Sequence, residues 1–203
     1  MTSIRLLLAD DQDLVRGGLA ALLSLEPDLE VVAQVGRGDE VLDAVRLHRP
    51  DIALIDIEMP GADGIEVTRQ VTSALLGCRC LIVTTFGRPG YLRRAMEAGA
   101  SGFVVKDTPA ERLAQMVRQV ASGQHVVDPQ LAADSLAGGI DPLTDRERDV
   151  LRAAAAGGSI RAIAESVHLS PGTVRNHLSS AIGKTNSQNR YEAAREAQYR
   201  GWI

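Results

Sequence analysis

Through the first 122 residues, short aliphatic and β-branched runs alternate with longer stretches whose apolar positions recur at helical spacing. Ile4–Ala9 reads as a buried strand, after which Leu14, Val15, Leu19, Leu22 and Leu23 fall on one side of a helix. Further strands are predicted at 30–35, 51–56, 80–85 and 102–105, and helices at 38–48, 63–75, 89–99 and 108–122. Five strands, each followed by a helix, predict an α/β domain over 1–122 built on a parallel sheet covered on both faces.

The pattern then dissolves. Residues 123–142 carry Gly123, Asp128-Pro129, Gly138-Gly139 and Asp141-Pro142, which read as a linker with a short helix around 129–137. Helical signals return over 143–203. Thr144-Asp-Arg-Glu147 is a capping box ahead of a run to Ala156, and a second helix spans about 159–167. Ser170-Pro171 then offers an N-cap and a proline at the first helical position of a helix to Lys184. A fourth runs from about 189 to 200, stopped by Gly201. The second domain is therefore all-α, with four helices.

Composition agrees with two ordinary globular domains. The 203 residues are 45% hydrophobic and 24% charged, which excludes disorder and fibrous repeats, and with six aromatics the core must be aliphatic. The net charge of −4 does not by itself suggest a nucleic-acid partner. It is a sum over unlike parts: 13 basic and 17 acidic residues in 1–120, three aspartates in 121–142, and nine basic against six acidic in 143–203. The basic part is the helical domain. The longest apolar runs fall far short of the ~20 residues that span a bilayer. Met1–Arg5 has no signal-peptide pattern, so a cytoplasmic protein without membrane insertion is expected. Cys78 and Cys80 lack a second metal-ligand pair and read as reduced packing thiols; His48, His125, His168 and His177 are scattered.

In a doubly wound sheet the ligand site lies beyond the carboxyl ends of the strands, where strand order reverses. Asp10 and Asp11 end the first strand, Asp56 the third, Thr84 lies near the end of the fourth, and Lys106 follows the fifth. In the flavodoxin-like order 2-1-3-4-5 the first and third strands are neighbours, which brings the three aspartates together. Three carboxylates in one place repel unless a cation sits among them, and hard oxygen ligands suit Mg²⁺, with Mn²⁺ also admissible. Lys106 and Thr84 are the groups wanted around a transferring phosphoryl unit, with Asp56 as nucleophile.

In the second half, two short helices joined around His168-Leu169-Ser170 suit helix-turn-helix geometry. The second of them presents Thr173, Arg175, Asn176, His177, Ser179 and Ser180 on one side, with Lys184 at its end, and turns Val174, Leu178 and Ile182 inward. Arg paired with guanine and Asn with adenine is the chemistry of base reading.

The order Asp10-Asp11, Asp56-Ile-Glu-Met-Pro-Gly61, Thr84 and Lys106 resembles the receiver domain of bacterial two-component response regulators. That resemblance implies that Asp56 is phosphorylated by a sensor histidine kinase. It implies that Asp11, Asp56 and the Glu58 backbone carbonyl hold Mg²⁺, Asp10 assisting through water. Thr84 and Lys106 would meet the phosphoryl oxygens while Phe103 turns inward as the switch. Two details depart from the common pattern: Asp107 rather than proline follows Lys106, and Phe103 stands where tyrosine is usual. Leu143-Thr-Asp-Arg-Glu-Arg-Asp-Val-Leu151, Ile163-Ala164 and Gly172-Thr-Val-Arg-Asn-His177 resemble the LuxR-type DNA-binding domain. Together these features are those of the NarL/FixJ class of response regulators, transcription factors rather than enzymes. Such proteins bind double-stranded DNA and form homodimers on phosphorylation. Thr84–Tyr91 and Gly201-Trp202 look most like the DesR-type subgroup, associated with control of lipid desaturase genes. In the family the last helix commonly mediates dimer contacts, and Ala193, Ala194 and Ala197 would permit close approach there. Thr185 and Ser187 stand where Leu and Val are usual, which predicts weaker packing between the third and fourth helices of this domain.

Two other classes fit less well. A phosphohydrolase working through an aspartyl-phosphate usually needs a second Asp two residues after the nucleophile, where this chain has Glu58, and it needs a cap domain. A nucleotide- or flavin-binding module needs a glycine-rich cradle after the first strand, where this chain has Ala9-Asp10-Asp11-Gln12.

Overall fold

The computed structural model describes residues 3–85, 89–128, 131–133 and 141–203. The chain divides into two compact units, whose main bodies are Met1–Gly87 with Leu92–Ala132, and Ala133–Ile203.

The first unit alternates β1 (Ile4–Ala9), α1 (Asp13–Leu23), β2 (Leu29–Val35), α2 (Gly38–His48), β3 (Ile52–Ile55), α3 (Gly64–Ser73), β4 (Arg79–Thr84), α4 (Pro89–Glu97), β5 (Gly102–Val105), α5 (Ala110–Ala121) and β6 (Val126–Val127). All pairings are parallel and the sheet order is β2-β1-β3-β4-β5-β6. The sequence pattern predicts the first five strands in this order but not the sixth. Val126 and Val127, assigned above to the linker, pair with Gly102 and Phe103 and cover the outer edge of β5. Two residues are too few to display a period of two, so this strand has no signature in the sequence.

Because a parallel sheet buries both faces, its central strands are largely apolar, while edge strand β2 keeps Glu30 and Gln34 exposed. Leu6 and Leu8 of β1 join Leu54, Leu81, Val83 and Val104 in one core with Leu23 of α1 and Leu113, Met116, Val117 and Val120 of α5. Val41, Val45, Ile65, Val67 and Val71 of α2 and α3 are also buried. The helical stripe predicted for α1 is only half right. Leu23 is buried and Leu19 packs against the core, but Leu14 is 89% exposed and Leu22 is also exposed. The inward side of α1 is instead completed by Ala20. Cys78 and Cys80 are buried free thiols, as expected, and burial pushes Cys78 up to about 12 and Cys80 higher still.

The second unit holds α6 (Asp145–Ala155), α7 (Ile160–Ser166), α8 (Pro171–Lys184) and α9 (Arg190–Tyr199). Each begins on a side-chain cap: Thr144 in a full capping box, Ser159, Ser170 followed by Pro171, and Asn189. The core joins Val150, Leu151, Ile163, Val174, Leu178 and Trp202. Ala193, Ala194 and Ala197 belong to that core as well, which corrects the expectation that they open α9 to a second copy. Their small side chains let α9 lie close to its own neighbours, and the outward side of α9 carries Tyr191, Arg195, Gln198 and Tyr199. Thr185 is buried, donates from Oγ1 to the Ala181 carbonyl at 2.9 Å, and lies 2.9 Å from Ser187 Oγ. The two polar residues satisfy each other and the helix end, so their hydroxyls are not orphaned in the core. The short helix predicted around 129–137 falls largely outside the described residues.

Gly64 marks where α3 meets the end of β3. A Cβ there would lie 2.0 Å from the Asp56 carbonyl oxygen, and the Gly64 N–H donates to Ile57 O at 2.9 Å. Gly64→Ala must push helix from strand and is expected to cost about 1–3 kcal/mol. Urea unfolding followed by circular dichroism checks this, and an unchanged midpoint would contradict the close approach.

Candidate functional site

Register brings the site together. Ala9 of β1 lies beside Ile55 of β3, so the next residues, Asp10 and Asp56, leave the sheet side by side. The Asp56 N–H donates to Ala9 O at 2.8 Å. Thr84 likewise pairs with Val105, and the Lys106 N–H donates to Thr84 O at 2.8 Å.

Lys106 Nζ sits between two carboxylates, 2.7 Å from Asp10 Oδ2 and 2.9 Å from Asp56 Oδ2. Asp10 and Asp56 are only 3% and 4% exposed, and Thr84 is buried beside them. Asp56 Oδ1 accepts from the Ile57 N–H at 2.7 Å, and Asp10 Oδ1 from the Gln12 N–H at 3.0 Å. Asp11 is exposed at the rim. One oxygen from each of Asp10, Asp11 and Asp56 lies within 4.8 Å of the others, the arrangement expected above. Glu58 is exposed two residues beyond Asp56, and Phe103 is wholly buried. Asp10 does not cap α1; the N-cap is Gln12, without a side-chain bond.

The electrostatics single out Asp56. Burial pushes its carboxyl above the ordinary range, Lys106 only partly offsets this, and the Asp10 charge adds to the rise. Burial pulls the Lys106 ammonium down, but the two carboxylates more than reverse it and leave it raised. Asp56 is therefore a shielded carboxylate with one strong donor already in place.

In the second unit, α8 turns Val174, Leu178 and Ala181 inward and leaves Arg175, Asn176 and Ser179 exposed, with Thr173 and His177 half-buried. Ile182 packs at the core margin. The turn before α8 is made by His168 at φ 55 and by Leu169 N–H donating to Ala164 O at 2.9 Å. The Ser170 hydroxyl accepts from the Thr173 N–H at 3.1 Å and lies 2.8 Å from the Thr173 hydroxyl.

Two exposed side chains on α8 are tied back to the body of the unit. Ser180 Oγ donates to Glu147 Oε1 at 2.6 Å, and Lys184 Nζ donates to Glu147 Oε2 at 2.7 Å. Glu147 also accepts from the Thr144 N–H at 2.7 Å, closing the capping box of α6. Burial pushes the Glu147 carboxyl up, but Lys184, Ser180 and Thr144 outweigh it and hold the group down at about 2. One buried carboxylate thus caps α6 and anchors the last two turns of α8. The sequence shows the capping role of Glu147; its pairing with Lys184, 37 residues away, has no local signal.

The family described as "Response regulator receiver domain" matches residues 6–118, and that described as "Bacterial regulatory proteins, luxR family" matches 141–197. The chain is 40% identical over 200 residues to the transcriptional regulatory protein DesR of Bacillus subtilis (strain 168), covering 98% of this chain and 99% of the relative. It is 41% identical over 200 residues to the uncharacterized transcriptional regulatory protein YvfU of the same organism, covering 98% and 100%. The crystal structure of the response regulator ChrA of a heme-sensing two-component system superposes with a TM-score of 0.60 at 32% identity, covering all of both chains.

The Glu147 anchor has a pH signature. Its folded-state value lies below the 4.5 of the free side chain, so its contribution is complete above pH 4.5 and is lost as pH falls toward about 2. Glu147→Gln is expected to cost about 2–4 kcal/mol near neutrality and to flatten that acid dependence. Trp202, the one tryptophan, is buried in this core, so its fluorescence during denaturation of the full chain reports the loss. Matching curves for variant and wild type would refute the anchor.

Proposed function

The chain belongs to the family of response regulators that join a receiver domain to a LuxR-type DNA-binding domain, and on that premise we propose that it is a transcription regulator switched by phosphorylation of Asp56. Phosphorylation-dependent regulation is typical of the family. The observation that carries this reading is Lys106 held between Asp10 and Asp56 at the carboxyl edge of the sheet, with Asp56 buried and ready to accept a charged group. The receiver domain corresponds to residues 1–122, its sheet taking one more short strand from the 123–142 connection, and the DNA-binding domain to 143–203.

The acidic site fits a divalent cation. Three carboxylates and one ammonium leave two negative charges uncompensated, and every donor is a hard oxygen. Asp11, Asp56 and the Glu58 carbonyl would hold Mg²⁺, Asp10 assisting through water; bound there, the ion supplies positive charge against the phosphoryl oxygens. The chain's own groups do the rest. An Asp56 carboxylate oxygen attacks phosphorus and forms the acyl phosphate as the bond to the kinase histidine breaks. Lys106, released from the carboxylate, donates to a phosphoryl oxygen, and the Thr84 hydroxyl donates to another. Moving Thr84 and Lys106 onto the phosphoryl group, with Phe103 kept inside, biases the β4–β5 surface toward the active state.

In the second domain, Thr173, Arg175, Asn176, His177 and Ser179 meet the major groove, Arg175 and Asn176 reading base edges. Lys184 shares that helix, but its ammonium is already engaged by Glu147. The partners are a sensor histidine kinase, double-stranded DNA and a second copy of the chain, and the setting is the cytoplasm. Among the described residues no helix is long and apolar enough to cross a membrane.

Treatment with a small-molecule phosphodonor is expected to drive dimerisation and tighten DNA binding of the wild type, and to do neither for Asp56→Ala. Equal responses of the two proteins in sedimentation and DNA-binding titrations would sink the mechanism. Arg175→Ala is expected to cost about 1–3 kcal/mol at one base position of the selected site. A binding selection on random DNA reads this out, and an unchanged base preference excludes Arg175 from readout.

A further inference from the structure

Arg16 is a basic group close to the acidic site that the phosphoryl chemistry does not use. It lies on the first turn of α1, and its side chain is only 17% exposed. Nη1 donates to the backbone carbonyl of Asp10 at 2.5 Å, and Nη2 to Asp13 Oδ1 at 2.5 Å. The guanidinium also presses on the end of β2: a Cβ built on Gly36 would lie 3.3 Å from Nη1. The chain between those two anchors, Asp10 to Asp13, is the turn that presents Asp10 and Asp11. It is also tied by the Asp10 N–H to Val35 O at 3.1 Å, the Gln12 N–H to Asp10 Oδ1, the Arg16 N–H to Gln12 O at 2.9 Å, and Lys106 Nζ to Asp10 Oδ2.

We propose that Arg16 is a positioning residue for the acidic site, its guanidinium fixing the turn that carries two of the three carboxylates. A planar fork with separated donors can hold a carbonyl and a carboxylate at once, which a lysine ammonium on one flexible stem does less rigidly. The Asp13 arm is exposed and contributes little; the Asp10 carbonyl arm is the one that sets the turn. Gly36 belongs to the same device, because a Cβ there would crowd Nη1 and make the guanidinium shift by a few tenths of an ångström.

The inference rests on the acidic pocket being a Mg²⁺ site, and it makes a prediction opposite in sign to simple electrostatics. A nearby positive charge repels a dication, so removing Arg16 would tighten Mg²⁺ binding if charge were its only effect. Loss of positioning weakens binding instead, since partners that orient metal ligands typically contribute 10-fold or more in affinity. The experiment is calorimetric titration of the full chain with MgCl₂, without phosphodonor, for wild type, Arg16→Met, Arg16→Lys and Gly36→Ala, at a temperature where circular dichroism shows each folded. Arg16→Met is expected to raise the Mg²⁺ Kd on the order of 10-fold, with partial recovery in Arg16→Lys. Gly36→Ala, which keeps every charge, is expected to raise it a few-fold. An unchanged or lower Kd in Arg16→Met overturns the proposal, as does a lowered melting temperature with no change in Kd, the mark of a merely structural arginine. A wild type that binds no Mg²⁺ overturns the cation reading itself and this inference with it.

Discussion

The receiver unit is organised around one arrangement of charge: a lysine ammonium placed between two buried carboxylates, with a third carboxylate at the rim. Burying charge is costly, and an ion pair away from water is poor evidence of stabilisation. The surrounding structure over-determines the arrangement. Parallel pairing of β1 with β3 and of β4 with β5 delivers Asp10, Asp56 and Lys106 to one edge, each one residue past a paired position. Backbone donors from Gln12 and Ile57 then take the remaining carboxylate oxygens. The close seat of Gly64 against the Asp56 carbonyl lets α3 start immediately beside the acceptor. A residual negative charge held this rigidly makes the site sensitive to any added charge, because a phosphoryl group on a carboxylate would replace one negative charge with about two beside Lys106.

How much of this is legible from sequence depends on whether a feature is local. The order of the five long strands, the edge on which the acids meet and the helix caps all follow from residues a few positions apart: Asp10-Asp11 after an apolar run, Thr144 with Glu147, Ser170 with Pro171. Features that depend on a distant neighbour do not. Val126-Val127 is a strand only because β5 lies beside it. Leu14 has the right spacing for the core of α1, but it sits on the first turn, whose outer side meets no other element and is left in water. Ala193, Ala194 and Ala197 suit either an interface or an interior, and only the positions of α6 and α8 decide for the interior. Ser180 and Lys184 read as outward-facing polar residues and are exposed, but nothing local shows that both are tied to Glu147.

That last correction changes the electrostatic account of the DNA-binding half. Its nine basic and six acidic residues are not all available to phosphate. Lys184 is tied to Glu147 and Arg148 to Asp141, while Arg175 stands exposed on α8. The basic balance is thus divided between side chains that hold the helices and side chains left exposed, so net charge overstates what is available to phosphate.

The two buried carboxylates paired with a lysine show how the same chemistry serves opposite ends. Glu147 has Lys184 with no second acid in contact, plus a hydroxyl and a backbone N–H, so burial is outweighed and the carboxyl is held low. Asp56 shares Lys106 with Asp10 and feels that second negative charge, so burial prevails and its carboxyl is raised. The first carboxylate is saturated and inert, and it locks a helix in place. The second is under-compensated, which makes it responsive to whatever positive charge or transferable group arrives. Against similar burial, the donors each carboxylate collects separate the two: Lys184, Ser180 and Thr144 outweigh burial at Glu147, whereas Lys106 and the Ile57 N–H do not at Asp56, where the Asp10 charge set beside it by strand register adds a smaller push.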